Sequence, residues 1–229
     1  MSQAVIIAGG KSTRMRPYTD DRPKAMAEVA GRPIVAHQLT WLRGHGVTQV
    51  VISVGYRAEV LQDYVQDGAR FELTVRYAVE QEPLGRGGGL RLAAGHLPHP
   101  DARFFALNGD VLARFDLGEL RQAHEAAGAI ATIALARYRS SWGVVELDGD
   151  RVTGFVQSPV LPYWINGGIY YADPALTELL PKVGDHEDST FPQLAREGRL
   201  GGFRIEGYWR GVDTVKDIME ASAEFAASS

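Results

Sequence analysis

The sequence contains no cysteine, which removes disulfides, thiolate metal sites and thiol nucleophiles from consideration. No apolar run approaches the roughly 18 residues that a membrane-spanning helix needs, so no membrane association is expected. There is no basic stripe either. The 24 Lys and Arg residues are scattered and set against 28 acidic ones, giving a net charge of −4 and a pI near 5.9. Nucleic acid is therefore not expected as a partner. Internal repeats, low-complexity segments and linkers are absent as well, so residues 1–229 read as a single domain large enough to bury a full core. The first apolar run begins within a few residues of Met1. That leaves no charged segment followed by an apolar stretch of signal-peptide type, and a cytoplasmic location is the expectation.

What the chain does have is concentrated at its start. Ala4-Val-Ile-Ile-Ala8 is an apolar, β-branched run of the kind that forms a buried parallel strand. It breaks at Gly9-Gly10, and residues 11–24 are dense in Arg, Lys, Ser, Thr and Pro. A glycine pair lets backbone approach a ligand closely, and successive N–H groups in such a turn make an anion-binding nest. With Arg14, Arg16 and Lys24 the stretch suits several phosphate groups. By itself it is equally an ordinary strand-to-helix turn carrying solvated basic residues.

The next segments alternate. Val35, Leu39 and Leu42 share a helical face, Gln49–Val54 reads as a buried strand, and Val60, Leu61, Tyr64 and Val65 make a second helical face. Phe71–Tyr77 reads as a third strand. This βαβαβ rhythm argues for a mostly parallel α/β sheet covered by helices, with ligands at the carboxyl ends of its strands. A second glycine-rich loop spans Glu80–Leu90, where the glycines again invite close approach to a ligand. The strand Arg103–Leu107 ends in Asn108-Gly-Asp110. Asp110 is thereby placed at the ligand crevice, although alone it reads as the turn residue of an Asn-Gly-Asp corner. Asp116 caps a helix bearing Leu117, Leu120 and His124, the last read as a packing histidine. Trp142–Leu147 and Val152–Gln157 read as a hairpin joined at Asp148-Gly-Asp150, an antiparallel departure from the β/α rhythm. Ile165–Tyr171 and Gly202–Ile205 read as strands. Asp173-Pro174 and Ser189 open helices, and Thr214-Val-Lys-Asp217 has capping-box spacing for a last one.

With both loops, the Asn-Gly-Asp corner and the Trp-Gly-Val-Val hairpin in view, the whole chain resembles the sugar-1-phosphate nucleotidyltransferases. That family opens with Gly-Gly-x-Gly-Thr-Arg-(Leu/Met)-x-Pro-x-Thr and then Pro-Lys-Pro-(Met/Leu). Here the pattern stands as Gly9-Gly-Lys-Ser-Thr-Arg-Met-Arg-Pro-Tyr-Thr19 and Pro23-Lys-Ala-Met26. The length, and Glu82-Pro-Leu-Gly85 with Gly87-Gly88, resemble the short members that act on heptose 1-phosphate or N-acetylmuramic acid 1-phosphate. The left-handed β-helix domain of longer relatives is not expected. The resemblance implies a Rossmann-like mixed sheet with a small antiparallel sugar-side extension. It also implies NTP and sugar 1-phosphate as partners, Mg²⁺ as cofactor, and an NDP-sugar with pyrophosphate as products. Oligomeric state is left open.

Residue by residue, the resemblance assigns Arg14 to the leaving phosphates and Lys24 to the α-phosphate and the attacking phosphate. Ala8, Gly9, Gly10, Ser12, Thr13, Glu80, Gly85 and Asn108 fall on nucleotide-binding positions. Gly143, Asn166 and Glu187 fall on positions that hydrogen-bond the sugar. Asp110 matches the metal-binding aspartate. The second metal acid is displaced: many relatives would carry it at the position of Gly211, and Trp209-Arg-Gly-Val-Asp213-Thr214 makes Asp213 the candidate, as in glucose 1-phosphate cytidylyltransferases. Two further departures are Ser12 in place of a loop glycine and Ser158 in place of the sugar-phosphate lysine, whose charge Arg137 or Arg139 would have to supply. Glu80 stands where a glutamine reads the base in thymidylyltransferases. A carboxylate only accepts hydrogen bonds and so suits the N1–H and N2–H₂ donors of guanine, which favours GTP over CTP or UTP. A non-catalytic sugar-nucleotide-binding regulator is the rival reading, motivated by these departures.

Overall fold

The computed structural model describes residues 2–10 and 13–227. The first half builds one side of a sheet. Strand β1 (Ser2–Ala8) leads into the loop, and a two-residue ribbon, β2 (Glu28–Val29) with β3 (Arg32–Pro33), precedes helix α1 (Ile34–Gly44). Then come β4 (Val47–Val54), α2 (Ala58–Val65), β5 (Thr74–Val79) and α3 (Gly85–Ala94). Strand β6 (Phe104–Asn108) turns at Gly109-Asp110 into β7 (Val111–Arg114), followed by α4 (Leu117–Ala127) and β8 (Ala131–Arg139). The hairpin β9 (Gly143–Asp148) and β10 (Arg151–Gln157) stands apart. Strand β11 (Val160–Ala172) returns to the sheet, and α5 (Leu176–Leu179), α6 (Thr190–Arg196), β12 (Leu200–Arg204), β13 (Tyr208–Gly211) and α7 (Val215–Ala227) complete the order.

The main sheet has seven strands in the order β12-β8-β11-β6-β1-β4-β5. Neighbours β6, β1, β4 and β5 run parallel, as do β12 and β8, whereas β11 runs antiparallel to both β6 and β8. Central β1 alternates its buried side chains between two cores. Ala4 and Ile6 face one with α1, α2 and Phe105, and Val5 faces the other with α3, Phe104 and Tyr170. Burial on both faces is why this strand is a continuous apolar run. A third core under α7 joins Met15, Ile34, Leu112, Val212 and Phe225, and it anchors the segment after the first loop. Among the described residues, no helix is long and apolar enough to cross a membrane.

Three expectations shift. The third strand begins at Thr74 rather than Phe71, because Ala69–Phe71 form a single 3-10 turn and Glu72 takes a left-handed conformation (φ 55°). The helix expected at Asp173-Pro174 shrinks to Leu176–Leu179. The ribbon of β7 with β13 was not anticipated, and it proves central to the site.

Candidate active site

The carboxyl ends of β1 and β6 meet below the first loop, where Gly109 N–H donates to Ile7 C=O at 2.8 Å. Buried Gln38 braces this corner, its Nε2 donating to the carbonyls of Asn108 and Val111, each at 2.8 Å. The chain then leaves Asp110 as β7, which pairs antiparallel with β13 in the register Val111 to Gly211. One step beyond that ladder, Val212 N–H donates to Asp110 C=O at 2.9 Å. Asp110 and Asp213 are therefore neighbours by backbone pairing, although they come from opposite ends of the sequence. Asp213 is fixed from the other side by the cap of α7: Asp217 Oδ2 accepts from the N–H groups of Asp213 at 3.0 Å and Thr214 at 2.8 Å. The capping-box spacing read from Thr214 and Asp217 thus orients a functional acid as well as starting a helix.

Lys24 enters between the two acids from a 3-10 turn, Lys24–Met26, whose apolar residues are buried. Its ammonium donates to Asp110 Oδ2 at 2.8 Å and to Asp213 Oδ1 at 2.7 Å, with only 10% of the side chain exposed. Arg14, exposed at the rim, donates to the same Asp213 oxygen at 2.9 Å. Burial pushes the Asp213 carboxyl upward, but Lys24 and then Arg14 outweigh it and hold it below the usual carboxylate range. Both acids line a cavity of about 340 Å³, together with Ala8, Gly10 and Asn108.

A second cavity, about 660 Å³, adjoins the first across the loop. Its walls include Gly9, Gly55, Tyr56, Glu80 and Gly85. Glu80 lies beneath Gly9, where a Cβ would come within 2.1 Å of the Glu80 carboxylate. Ser53 Oγ donates to Glu80 Oε1 at 2.7 Å and Leu84 N–H to Oε2 at 3.2 Å, which fixes the carboxylate and leaves lone pairs for a ligand. A side chain at Gly9 would therefore have to displace the Glu80 carboxylate from these partners. The later glycines have another reason than the one expected. A Cβ on Gly87 would lie 2.8 Å from Gly184 C=O, and one on Gly88 2.5 Å from Lys182 C=O, so they let α3 pack against residues 182–186 rather than against a ligand.

The two cavities collect Ala8, Gly9, Gly10, Arg14, Lys24, Glu80, Gly85, Asn108, Asp110 and Asp213 from the expected set. Thr13, Gly143, Asn166 and Glu187 do not line either one. Asn166 uses its amide to bond the Tyr170 hydroxyl at 3.0 Å and Gly168 N–H at 2.8 Å. Gly143 packs under Phe155, whose ring atom Cζ would sit 2.3 Å from a Cβ there. Ser12 lies outside the described residues. Of the cations considered for the lysine missing at Ser158, Arg137 stacks 4.3 Å over the Trp164 ring and Arg139 donates to Ser158 C=O at 3.0 Å. Gln38, Ser53, Arg86 and Asp185 were missed. A buried amide bracing a strand corner carries no local sequence signal.

Residues 3–228 match the family model described as Nucleotidyl transferase. The chain belongs to the nucleotidyl transferase family. Among curated nucleotidyl transferases, mannose-1-phosphate guanyltransferase of Candida albicans is 35% identical over 238 residues, covering 99% of this chain and 65% of its own length. The enzyme of that name from Debaryomyces hansenii is 35% identical over 229 residues, covering 96% of this chain and 63% of its own. The chain therefore spans just under two thirds of these relatives. HddC from Yersinia pseudotuberculosis, in a structure complexed with GMP-PN, aligns over 98% of this chain and 100% of its own with a TM-score of 0.78 at 25% identity.

Proposed function

We propose that the protein transfers a guanylyl group from GTP to a sugar 1-phosphate and releases pyrophosphate. The observation that carries this reading is the Lys24 ammonium held between Asp110 and Asp213 beside the Gly9-Gly10 loop. The reaction brings an anion onto an anion, so positioning and charge neutralisation are what the protein must supply. An oxygen of the sugar phosphate forms a bond to the α-phosphorus. The bond from that phosphorus to the bridging oxygen of the β-phosphate breaks, and its electron pair leaves with pyrophosphate. In this reading Lys24 neutralises the α-phosphoryl oxygens, and Arg14 at the rim serves the departing pyrophosphate. The attacking oxygen is already anionic, so no general base is required.

Asp110 and Asp213 are the residues that would hold Mg²⁺. Their two carboxylates converge on one point, the Lys24 ammonium. That donor set suits a hard cation whose remaining ligands are phosphate oxygens and water. The ion would supply further neutralisation of phosphate charge.

Guanine is favoured by the acceptor-only carboxylate of Glu80 in the second cavity, by the names of the curated relatives, and by the GMP-PN bound to HddC. Those names make mannose 1-phosphate the first acceptor to try. One nucleotidyltransferase domain over residues 1–229, acting in the cytoplasm, is part of the proposal.

The test is pyrophosphate release with ATP, GTP, CTP, UTP and dTTP against a panel of sugar 1-phosphates, with Mg²⁺ or EDTA. GTP should give the fastest turnover, EDTA should abolish it, and Glu80→Gln should narrow the preference for GTP. Nucleotide binding without turnover on any pair would overturn the reading, and an unchanged base profile in Glu80→Gln would remove Glu80 from base recognition.

A further inference from the structure

Arg86 belongs to none of the roles assigned so far, yet among the described residues it is the only charged side chain that lines both cavities. It stands in the first turn of α3 and is held by residues 185–187. Its backbone N–H donates to Asp185 Oδ1 at 2.8 Å, and its Nη2 to Asp185 Oδ2 at 2.7 Å. Its Nη1 lies 3.1 Å from Glu187 Oε1, and about half of the side chain remains exposed. The close approach of α3 to residues 182–186, which Gly87 and Gly88 permit, is what delivers it there.

The position has a consequence for any nucleotide whose base occupies the Glu80 cavity and whose terminal phosphates reach Arg14. The link between those two halves is the sugar with its α-phosphate, and it must pass the boundary between the cavities. Among the described residues, those common to both are Ile7, Gly10 and Arg86. We infer that the Arg86 guanidinium binds the α-phosphoryl group of the nucleotide, a contact that rests on the nucleotidyltransfer reading above. A guanidinium presents a planar fork of five donors, of which Asp185 engages only part, so an edge is left for phosphate oxygens. The carboxylates of Asp185 and Glu187 fix the fork in place and moderate its field. Burial, only partly offset by Arg86, pushes the Glu187 carboxyl upward. Arg86 would also supply, at the reacting phosphorus, a cation that Ser158, Arg137 and Arg139 do not bring to either cavity.

The experiment compares guanosine with GMP by calorimetric titration of the whole protein, in wild type, Arg86→Gln and Arg86→Lys. Wild type should bind GMP more tightly than guanosine. Arg86→Gln should weaken GMP by about tenfold to a hundredfold, the worth of one charge-assisted hydrogen bond, while leaving guanosine unchanged. Arg86→Lys, which keeps a charge without the fork, should fall between and covers the case in which Arg86→Gln does not fold. Equal weakening of guanosine and GMP would mean that Arg86 only pins residues 185–187, and unchanged GMP affinity would mean that it touches no phosphate; either overturns the inference. If wild type binds neither compound, the failure lies with the guanine-nucleotide reading itself, and the inference falls with it.

Discussion

Replacing Lys24 by methionine separates what the lysine does for the resting protein from what it does for the reaction. At rest its ammonium bonds two carboxylates at 2.8 and 2.7 Å, from a side chain only 10% exposed. A fully buried pair broken on one side costs about 3–5 kcal/mol, and an exposed pair contributes about 0.2–1 kcal/mol. Asp110 and Asp213 are 36% and 47% exposed, and Asp213 keeps Arg14, so the pairs fall between these limits. A loss of about 2 kcal/mol follows, a fall in Tm of roughly 4–8 °C for a domain of this size. The loss should depend on pH. The folded-state pKa of Asp213 is depressed below its ordinary value of 3.8, so its contribution is present above that value and disappears as pH falls through the lower one. Wild type and variant should therefore differ in Tm at neutral pH and begin to converge only as pH falls below 3.8. During reaction the variant also lacks a donor to charge developing on the α-phosphoryl group. Removing one such donor costs about 10²- to 10³-fold in kcat. Thermal melts at several pH values, paired with pyrophosphate release under saturating substrates, read both quantities. A kcat within fivefold of wild type would refute the catalytic role. A Tm unchanged at neutral pH would refute the bridging geometry.

Two other perturbations act at different places. Gly9→Ala puts a Cβ where Glu80 Oε1 would be 2.1 Å away, and Glu80 is tied to Ser53 and Leu84, so nucleotide affinity should fall by at least about tenfold with little change in Tm; unchanged affinity in a titration would show that the carboxylate moves aside freely. His186 is buried against Tyr170 and Phe191, and burial, reinforced by Arg86, lowers its pKa from 6.5 to about 4. The unfolded chain takes up a proton that the folded one refuses, so stability should fall as pH drops from 6.5 towards 4, by at most about 3 kcal/mol from this residue. His186→Phe should flatten that slope in denaturant titrations at pH 7.5 and 5, and an unchanged slope would sink the assignment.

The parts of the fold legible in the sequence are those encoded locally. Ala4–Ala8 and Gln49–Val54 are apolar because both faces of β1 and β4 are covered, and the Thr214 and Asp217 cap lies within four residues. What was not legible depends on distant pairing. Val111–Arg114 and Tyr208–Gly211 are short runs with no strong alternation, and they form strands because each finds the other. The glycines of Gly85–Gly89 were read as making room for a ligand. Most of that room is taken by residues 182–186, which no inspection of Glu80–Leu90 could reveal. Arg86 was overlooked for the same reason, since its importance comes from where α3 starts relative to two cavities.

The pairing of β7 with β13 also weighs between catalysis and mere binding. The displaced second acid was a reason to consider a regulator that had lost its chemistry. Backbone pairing removes that reason, because the ladder carries Asp213 to within reach of the same ammonium that bonds Asp110. A binding module for a sugar nucleotide gains little from this arrangement. Its ligand is anionic, and two carboxyl groups facing the phosphates would weaken binding unless a cation intervened. Lys24 meets that need in the resting protein, but a single lysine without acids would bind phosphate more tightly. Having both acids at the cost of affinity makes sense where they would hold a cation that neutralises phosphate charge, with Lys24 then serving the reacting group. On that argument Asp110→Asn combined with Asp213→Asn should raise affinity for GTP in EDTA while abolishing turnover in Mg²⁺. A sensor would show the first change with no turnover to lose, and weaker GTP binding by the double variant in EDTA would refute the argument.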